Sequence, residues 1–439
     1  MKKILIIITA LFFITATDAQ DTIRTYWKNK QLMSQGIKIK EKEEGTWVYY
    51  HQNGTIWTKG DYKNGEKIGR WQVWYDNGNK WQEFIAPEGM FTSWFASGSI
   101  ESLGALKEGK RDGEWIFYHA NGHLLKKANY LSDNVNGAVK EYFDNDQLRF
   151  QGTFSNGALH GYAQWFTKDG LPEMEGKSIY DQQDSVWIFY NENGTKGSIG
   201  NFVAGLQEGE WIYYYDDGKL WKKGKFEAGK RTGLWKAWYE NGQLQREGKF
   251  LNDKEEEYWV QYFPNGTVKD EGFFTQGMMS GLWKGYFDDK KLNYKMLYTN
   301  NERHGLSQTW YSNGNPHTKG KYQNGNKEGK WFNFAQNGKP FEIGNYKNGK
   351  KTGKWTFFDA RGTIMREQNF TNDVADGTFT EFYPNGKKQI QGNYKNRVKQ
   401  GKWSYWNPAG KLVYCADYVN GKKMKILINN MDKKVATPF

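Results

Sequence analysis

The sequence predicts an all-β fold: an elongated antiparallel array of β-hairpins, an open, solenoid-like meander of about sixteen units of 24 residues. Three observations predict it. Glycines recur in one register, at Gly45, Gly69, Gly113, Gly137, Gly161, Gly209, Gly233, Gly281, Gly305, Gly329, Gly353, Gly377 and Gly401, nearly all at multiples of 24. Each interval carries two turn signals and no helical periodicity. Hydrophobic content is only 37% while aromatics reach 17%, so the core must be built from Trp, Tyr and Phe set between polar neighbours on a sheet surface.

The first strand of the unit follows the leading glycine, as in Gly45-Thr46-Trp47-Val48-Tyr49-Tyr50. Five residues after the leading position an aromatic stands in every copy, from Tyr50 and Trp74 to Trp406, and two after it stands Trp in eleven copies, from Trp47 to Trp403. Side chains alternate along a strand, so these rows are expected on opposite faces, each with an aromatic ladder. Asn53-Gly54 and its counterparts Asn77-Gly78, Asp217-Gly218 and Asn241-Gly242 supply the positive φ of a tight hairpin turn. The return strand carries an apolar residue (Ile56), a glycine four later (Gly60) and an aromatic two beyond that (Tyr62). The glycine is expected to make room for a ring of the neighbouring strand. A second turn at Lys63-Asn64-Gly65 leads to the next leading glycine. One such hairpin cannot bury enough surface to fold alone, which is why the copies are many.

Two departures stand out. The segment Lys80-Trp81-Gln82-Glu83-Phe84-Ile85-Ala86-Pro87-Glu88-Gly89 lacks the second turn, which shortens one period to 20 and predicts a kink or tighter turn. At the N-terminus, Met1-Lys2-Lys3, an apolar run Ile4 to Ile14 and a small-residue stretch ending at Ala19 read as a secretory signal peptide. The expected organisation is a leader over 1–19, a degenerate capping copy over 20–44, the array over 45–421 and a charged tail over 422–439, whose lysines would discourage strand addition.

The units Gly233-Leu234-Trp235-Lys236-Ala237-Trp238-Tyr239-Glu240-Asn241-Gly242 and Gly329-Lys330-Trp331-Phe332-Asn333-Phe334-Ala335-Gln336-Asn337-Gly338, each followed by Gly-x-aromatic and the second by the full Gly-x-aromatic-x-x-Gly, resemble the bacterial variant of the MORN repeat over residues 21–421. The resemblance implies a non-enzymatic scaffold that meets proteins or membrane surfaces, with no cofactor. Some bacterial members carry an antitoxin label, but an exported protein would not meet a cytosolic toxin.

Chemistry is sparse. His119 and His123 flank one turn without a third metal ligand, so no metal site is expected. Glu255-Glu256-Glu257 reads as a surface charge run, and the single Cys415 as a filler or surface residue without a disulfide partner. No nucleophile has a recognisable base, and no phosphate-binding loop occurs. Of 62 basic residues ten are Arg against 49 acidic ones, a Lys-rich excess of +13 that, with the export signal, argues against nucleic acid. The ligand hint lies off the structural rows. Trp57, Trp81 and Trp221 occupy a return-strand slot that elsewhere holds Glu101, Arg149, Gln245 or Lys269, so it is expected to be exposed. These three are the candidate binding residues, for an envelope protein or anionic lipid headgroups, with a glycan as the alternative.

Overall fold

A computed structural model describes residues 21–430, so the leader over 1–19 lies outside the described residues. The described residues form 35 strands and no helix: β1 (Thr22–Tyr26), β2 (Leu32–Ile39), β3 (Lys42–Tyr50), β4 (Ile56–Lys63), β5 (Glu66–Trp74), β6 (Lys80–Ala86), β7 (Gly89–Trp94), and so on in chain order to β35 (Lys422–Asn429). Strands pair antiparallel with their chain neighbours, as β3 does with β2 and β4, and the sheet is open and unclosed. The hairpin-repeat fold expected from the sequence is the observed one. By contacts the chain divides into two compact units. One runs to Lys196 and takes in Phe202–Leu206, and the other comprises Gly197–Asn201 and the chain from Gln207 on.

The two turns of the unit differ from each other. At the first, the His51 amide donates to Thr55 O (2.8 Å) and the Gly54 amide to His51 O (3.0 Å), with Gly54 at φ 85°. This is a three-residue loop whose left-handed position is the glycine alone. Asn53 therefore does not supply a positive φ, as the sequence suggested. Its side chain accepts from the Thr55 amide (3.0 Å) and donates to Asp76 O of the next copy (2.9 Å). The same bridge recurs from Asn121 to Asp144 O, from Asn241 to Pro264 O and from Asn385 to Pro408 O. The second turn is the tight one, with both Asn64 (φ 53°) and Gly65 (φ 83°) left-handed. Glu44 caps it by accepting from the Asn64 amide at 2.8 Å, as Glu256 does for Gln276 and Glu328 for Asn348.

The leading glycine lies inside a strand rather than at its start. Between β2 and β3 the register jumps from Gln35 opposite Val48 to Ile37 opposite Glu44, which leaves Gly45 in a bulge at φ 66°. Ser185 and Glu257 hold the same slot at φ 59° without being glycine.

The core is a row of rings on one face. A Cβ on Gly60 would lie 2.2 Å from Trp71 Cδ2, and the same collision recurs between Gly36 and Trp47, Gly224 and Trp235, and Gly344 and Trp355. All eleven indoles of the row lie on such a glycine. Where the row lacks Trp, the glycine is often replaced too: Ala128 stands opposite Val139, and Met296 opposite Ser307. The ring two residues after the glycine stands edge-on between successive indoles, as in Trp235, Phe250, Trp259, Phe274 and Trp283 with centroids 6.0, 5.0, 6.1 and 5.0 Å apart. Every indole N–H of the row but that of Trp71 donates to the backbone ten residues earlier, Trp355 to Asn345 O at 3.1 Å. The second aromatic row, of Tyr50 and its equivalents, lies on the opposite face and is half-buried. There Tyr258 and Tyr286 both donate to Glu271 (2.6 and 2.7 Å).

At the ends, the described part of the capping copy, residues 21–44, folds as a hairpin of the same design, its loop closed by the Trp27 amide to Gln31 O (2.8 Å). The segment set apart as a charged tail contributes β35, paired with Leu412–Val419.

Candidate functional site

The three candidate tryptophans share one geometry. Tyr49 stands opposite Thr58 and Tyr50 opposite Ile56, so Trp57 is the extra residue of a bulge. Trp81 and Trp221 are the extra residues of equivalent bulges in β6 and in Leu220–Glu227. A bulge re-aims its side chain, and the three rings are exposed by 42%, 37% and 39%. Each leans on the first residue of the preceding loop: Trp57 on His51 (6.2 Å), Trp81 on Tyr75 (5.5 Å, stacked) and Trp221 on Tyr215 (6.0 Å). Those loop residues are themselves fixed, since His51 Nε2 meets Trp74 O at 3.0 Å and Tyr215 donates to Trp238 O at 2.7 Å. The result is a preorganised aromatic surface that loses little side-chain freedom on contact.

The sequence reading missed Phe341 and Met365, which occupy the same slot in consecutive copies and are 43% and 46% exposed. The signal in the sequence is the same 24-residue spacing counted from Trp221.

A cleft of about 690 Å³ opens at the shortened copy. There β6 and β7 are joined by Pro87 and Glu88, a two-residue link as at Asn64-Gly65, so the turn is no tighter than elsewhere and the period is shortened in the strands, which have 7 and 6 residues where β4 and β5 have 8 and 9. In most copies a ring fills the slot of Tyr62, as Tyr130, Phe226 and Phe250 do, and Ser178 is an isolated exception, but here two successive copies lack it, with Ala86 and Leu106. With two edge-on rings missing in succession, Phe84, Phe91 and Trp115 form a floor, Phe91 lying 6.2 Å from Phe84 and 5.2 Å from Trp115. Lys67 and Arg111 form the walls. Lys67 Nζ stands 4.4 Å from the Trp71 ring, and burial pushes the pKa of its ammonium down. Arg111 lies 4.2 Å over Tyr130 and pairs with Asp133 at 3.1 Å. Aromatic floor, polar rim and volume are those of a small-ligand site.

The remaining polar residues serve the repeat. His119 Nε2 meets Tyr142 O (3.1 Å) and His123 Nδ1 meets Asp146 (2.6 Å). Among the described residues no group of three or more His, Cys, Asp and Glu is placed to hold a metal. Glu256 caps a turn and Glu257 pairs with Lys249 at 2.7 Å. Cys415 is fully buried, 3.6 Å from Ser404 Oγ. No described helix is long and apolar enough to cross a membrane.

Fold and surface together define a β-hairpin repeat protein whose variable slots, not its conserved rows, face outward. Residues 43–64, 111–131, 135–156, 207–228, 231–252, 279–300, 303–324, 327–348, 351–372, 375–396 and 399–420 match the MORN repeat variant. The chain belongs to that family, a non-catalytic repeat family whose repeats are generally involved in protein or membrane interactions. No curated protein matches it. Among solved structures, the TcdB2-TccC3-Cdc42 crystal structure is similar at 9% identity and a TM-score of 0.15, over 92% of this chain and 26% of that one. A Photorhabdus luminescens Tc holotoxin pore is similar at 11% identity and a TM-score of 0.15, over 91% and 25%. The chain spans about a quarter of the length of these proteins.

Proposed function

We propose that the protein is an exported, non-enzymatic scaffold of the cell envelope, which holds fixed, exposed rings against a protein partner or anionic lipid headgroups. The observation that carries this reading is the pair Trp57 and Trp81, exposed rings in successive copies of one bulge slot that holds Glu101 or Lys269 in other copies. Export rests on the apolar leader and its small-residue cleavage site. The test is crosslinking of tagged mature protein in its own cells, comparing the native chain with Trp57→Ala/Trp81→Ala. The double variant should fold as the native protein does, with unchanged far-UV circular dichroism, and should lose its crosslinked partners. Partners retained by a folded double variant would sink the assignment.

The cleft at Ala86 and Leu106 favours one second reading, a glycan-binding surface. Its ring floor with the partly exposed Gln82 and Glu101 beside it suits a sugar, which offers one apolar face and an edge of hydroxyls. Leu106→Phe restores a ring to the floor, so oligosaccharide binding in titration calorimetry should vanish in that variant. No binding by the native protein would remove this reading and leave the first intact.

A further inference from the structure

One cationic cluster breaks the chain's own charge rule. The return-strand position of Thr58 carries a cation in four copies: Lys126, Lys222, Arg246 and Arg366. Lys126 stands opposite Glu141 and pairs with it at 3.0 Å, and Arg366 stands opposite Glu381. Lys222 and Arg246 instead stand on either side of Ala237, in register across three strands, and neither has an ion-pair partner among the described residues. Two strand spacings of about 4.8 Å separate their backbones. With Ala237 in place of a large side chain, a cleft of about 260 Å³ remains, lined also by Arg231 and floored by Trp235 and Phe250.

We propose that this cleft is an oxyanion site for a phosphate group, held by Arg246 from one side of Ala237 and Lys222 from the other. Arg246 offers a planar fork that meets two oxygens, and Lys222 a point charge with three donors. A tetrahedral anion presents oxygens to both sides at once, whereas a carboxylate satisfies one. The ring floor lowers the local dielectric and strengthens both contacts. Arg231 closes the rear. Asp253 holds it at 3.0 Å, and it lies 4.1 Å over Phe250, so it adds field without being the main donor. Burial first, and then Arg231 and Arg246, push the Lys222 ammonium pKa down, as expected of a cation awaiting a counterion. Lys222 Nζ lies 4.1 Å from the Trp221 ring and 4.4 Å from that of Tyr213, which lines the cleft. The phosphate belongs either to a lipid headgroup or to a free phosphate compound.

This goes beyond the scaffold reading and can fail separately from it, since Trp57→Ala/Trp81→Ala should leave phosphate binding unchanged. The test titrates inorganic phosphate into the native protein, Lys222→Gln/Arg246→Gln and Ala237→Glu, following tryptophan fluorescence at constant ionic strength. Ala237→Glu installs the residue that the chain itself places opposite Lys126, so it should fold and be no less heat-stable than the native protein. Both variants should bind phosphate at least about tenfold more weakly, equivalent to about 1.4 kcal/mol. Absent binding by the native protein, or equal binding by Ala237→Glu, would overturn the proposal. Co-sedimentation with phosphatidylcholine vesicles containing phosphatidylglycerol, competed by inorganic phosphate and lost in Ala237→Glu, would identify a headgroup as the source. Phosphate binding without co-sedimentation would identify a free compound.

Discussion

Gly344→Ala isolates the contact on which the array depends. A Cβ there would fall 2.0, 2.2 and 2.4 Å from Cδ2, Cε2 and Cγ of Trp355, whose side chain is fully buried. The clash is with the root of the indole rather than a flexible tip, so the ring must lift off the sheet. Lifting disturbs its edge contacts with Tyr346 (5.0 Å) and Phe370 (6.4 Å) and its bond to Asn345 O. Overpacking costs about 1–3 kcal/mol and the bond about 1, which together give about 2–4 kcal/mol. Trp355→Val alone should cost about 3–5 kcal/mol through the cavity it leaves. The pair Gly344→Ala/Trp355→Val recreates the Ala128 and Val139 pair found within this chain. In the Trp355→Val background the alanine should therefore be neutral or stabilising by about 0.5–1 kcal/mol. The assay is a double-mutant cycle from urea unfolding by circular dichroism, with hydrogen exchange over residues 340–358, because repeat arrays depart from two-state behaviour. A single-variant cost below about 0.5 kcal/mol, or costs that simply add, would refute the reasoning.

Ser185→Gly relieves a left-handed serine at a slot where fourteen of sixteen copies carry glycine, and should raise stability by about 1 kcal/mol, read as a higher melting temperature. Tyr286 gives a pH test. Burial, and then its bond to Glu271, push the Tyr286 pKa up to about 12. Its folded pKa thus exceeds the unfolded value of 10.0, so the stability it contributes is complete below pH 10 and lost as pH rises toward 12. Glu271→Gln should bring the ionisation of Tyr286 to lower pH in an ultraviolet titration, and an unchanged curve would show that burial alone sets it.

Much of this was legible because the 24-residue spacing is a physical constraint. A glycine followed two residues later by a ring, beside a strand of Trp, implies close backbone approach, and Gly60 with Trp71 realises it. The exposure of the Trp57 slot followed from its polar occupants elsewhere. What could not be read depends on register between strands. Gly45 lies within a strand because of a bulge that forms only when residues 35–37 meet 44–48. Asn53 and Gly54 look like one turn signal, yet only the glycine is left-handed, because the side chain of Asn53 is bound to the next copy. The cleft between Lys222 and Arg246 needs three strands in register, and the sequence shows only two cations 24 residues apart.

The copies also separate structural duty from freedom. All eleven core indoles lie on a glycine, so the indole needs the glycine, whereas the glycine can stand without it, as Gly152 does opposite Ala163. The slot of Trp57 accepts Glu101, Arg149 or Lys269 without altering the hairpin, so a ring there is an addition that the fold does not require. Clefts arise by the opposite route, through subtraction: Ala86 and Leu106 remove rings from one row, and Ala237 removes bulk between two cations. Both changes are affordable for one reason. Each hairpin contacts chiefly its neighbours, so a loss in one copy is felt over two interfaces rather than through the whole chain. Refilling a cleft should accordingly slow hydrogen exchange in the altered hairpin and the ones beside it and leave distant copies as they were. A uniform change across the array would mean that stability is shared globally and that the copies cannot vary independently.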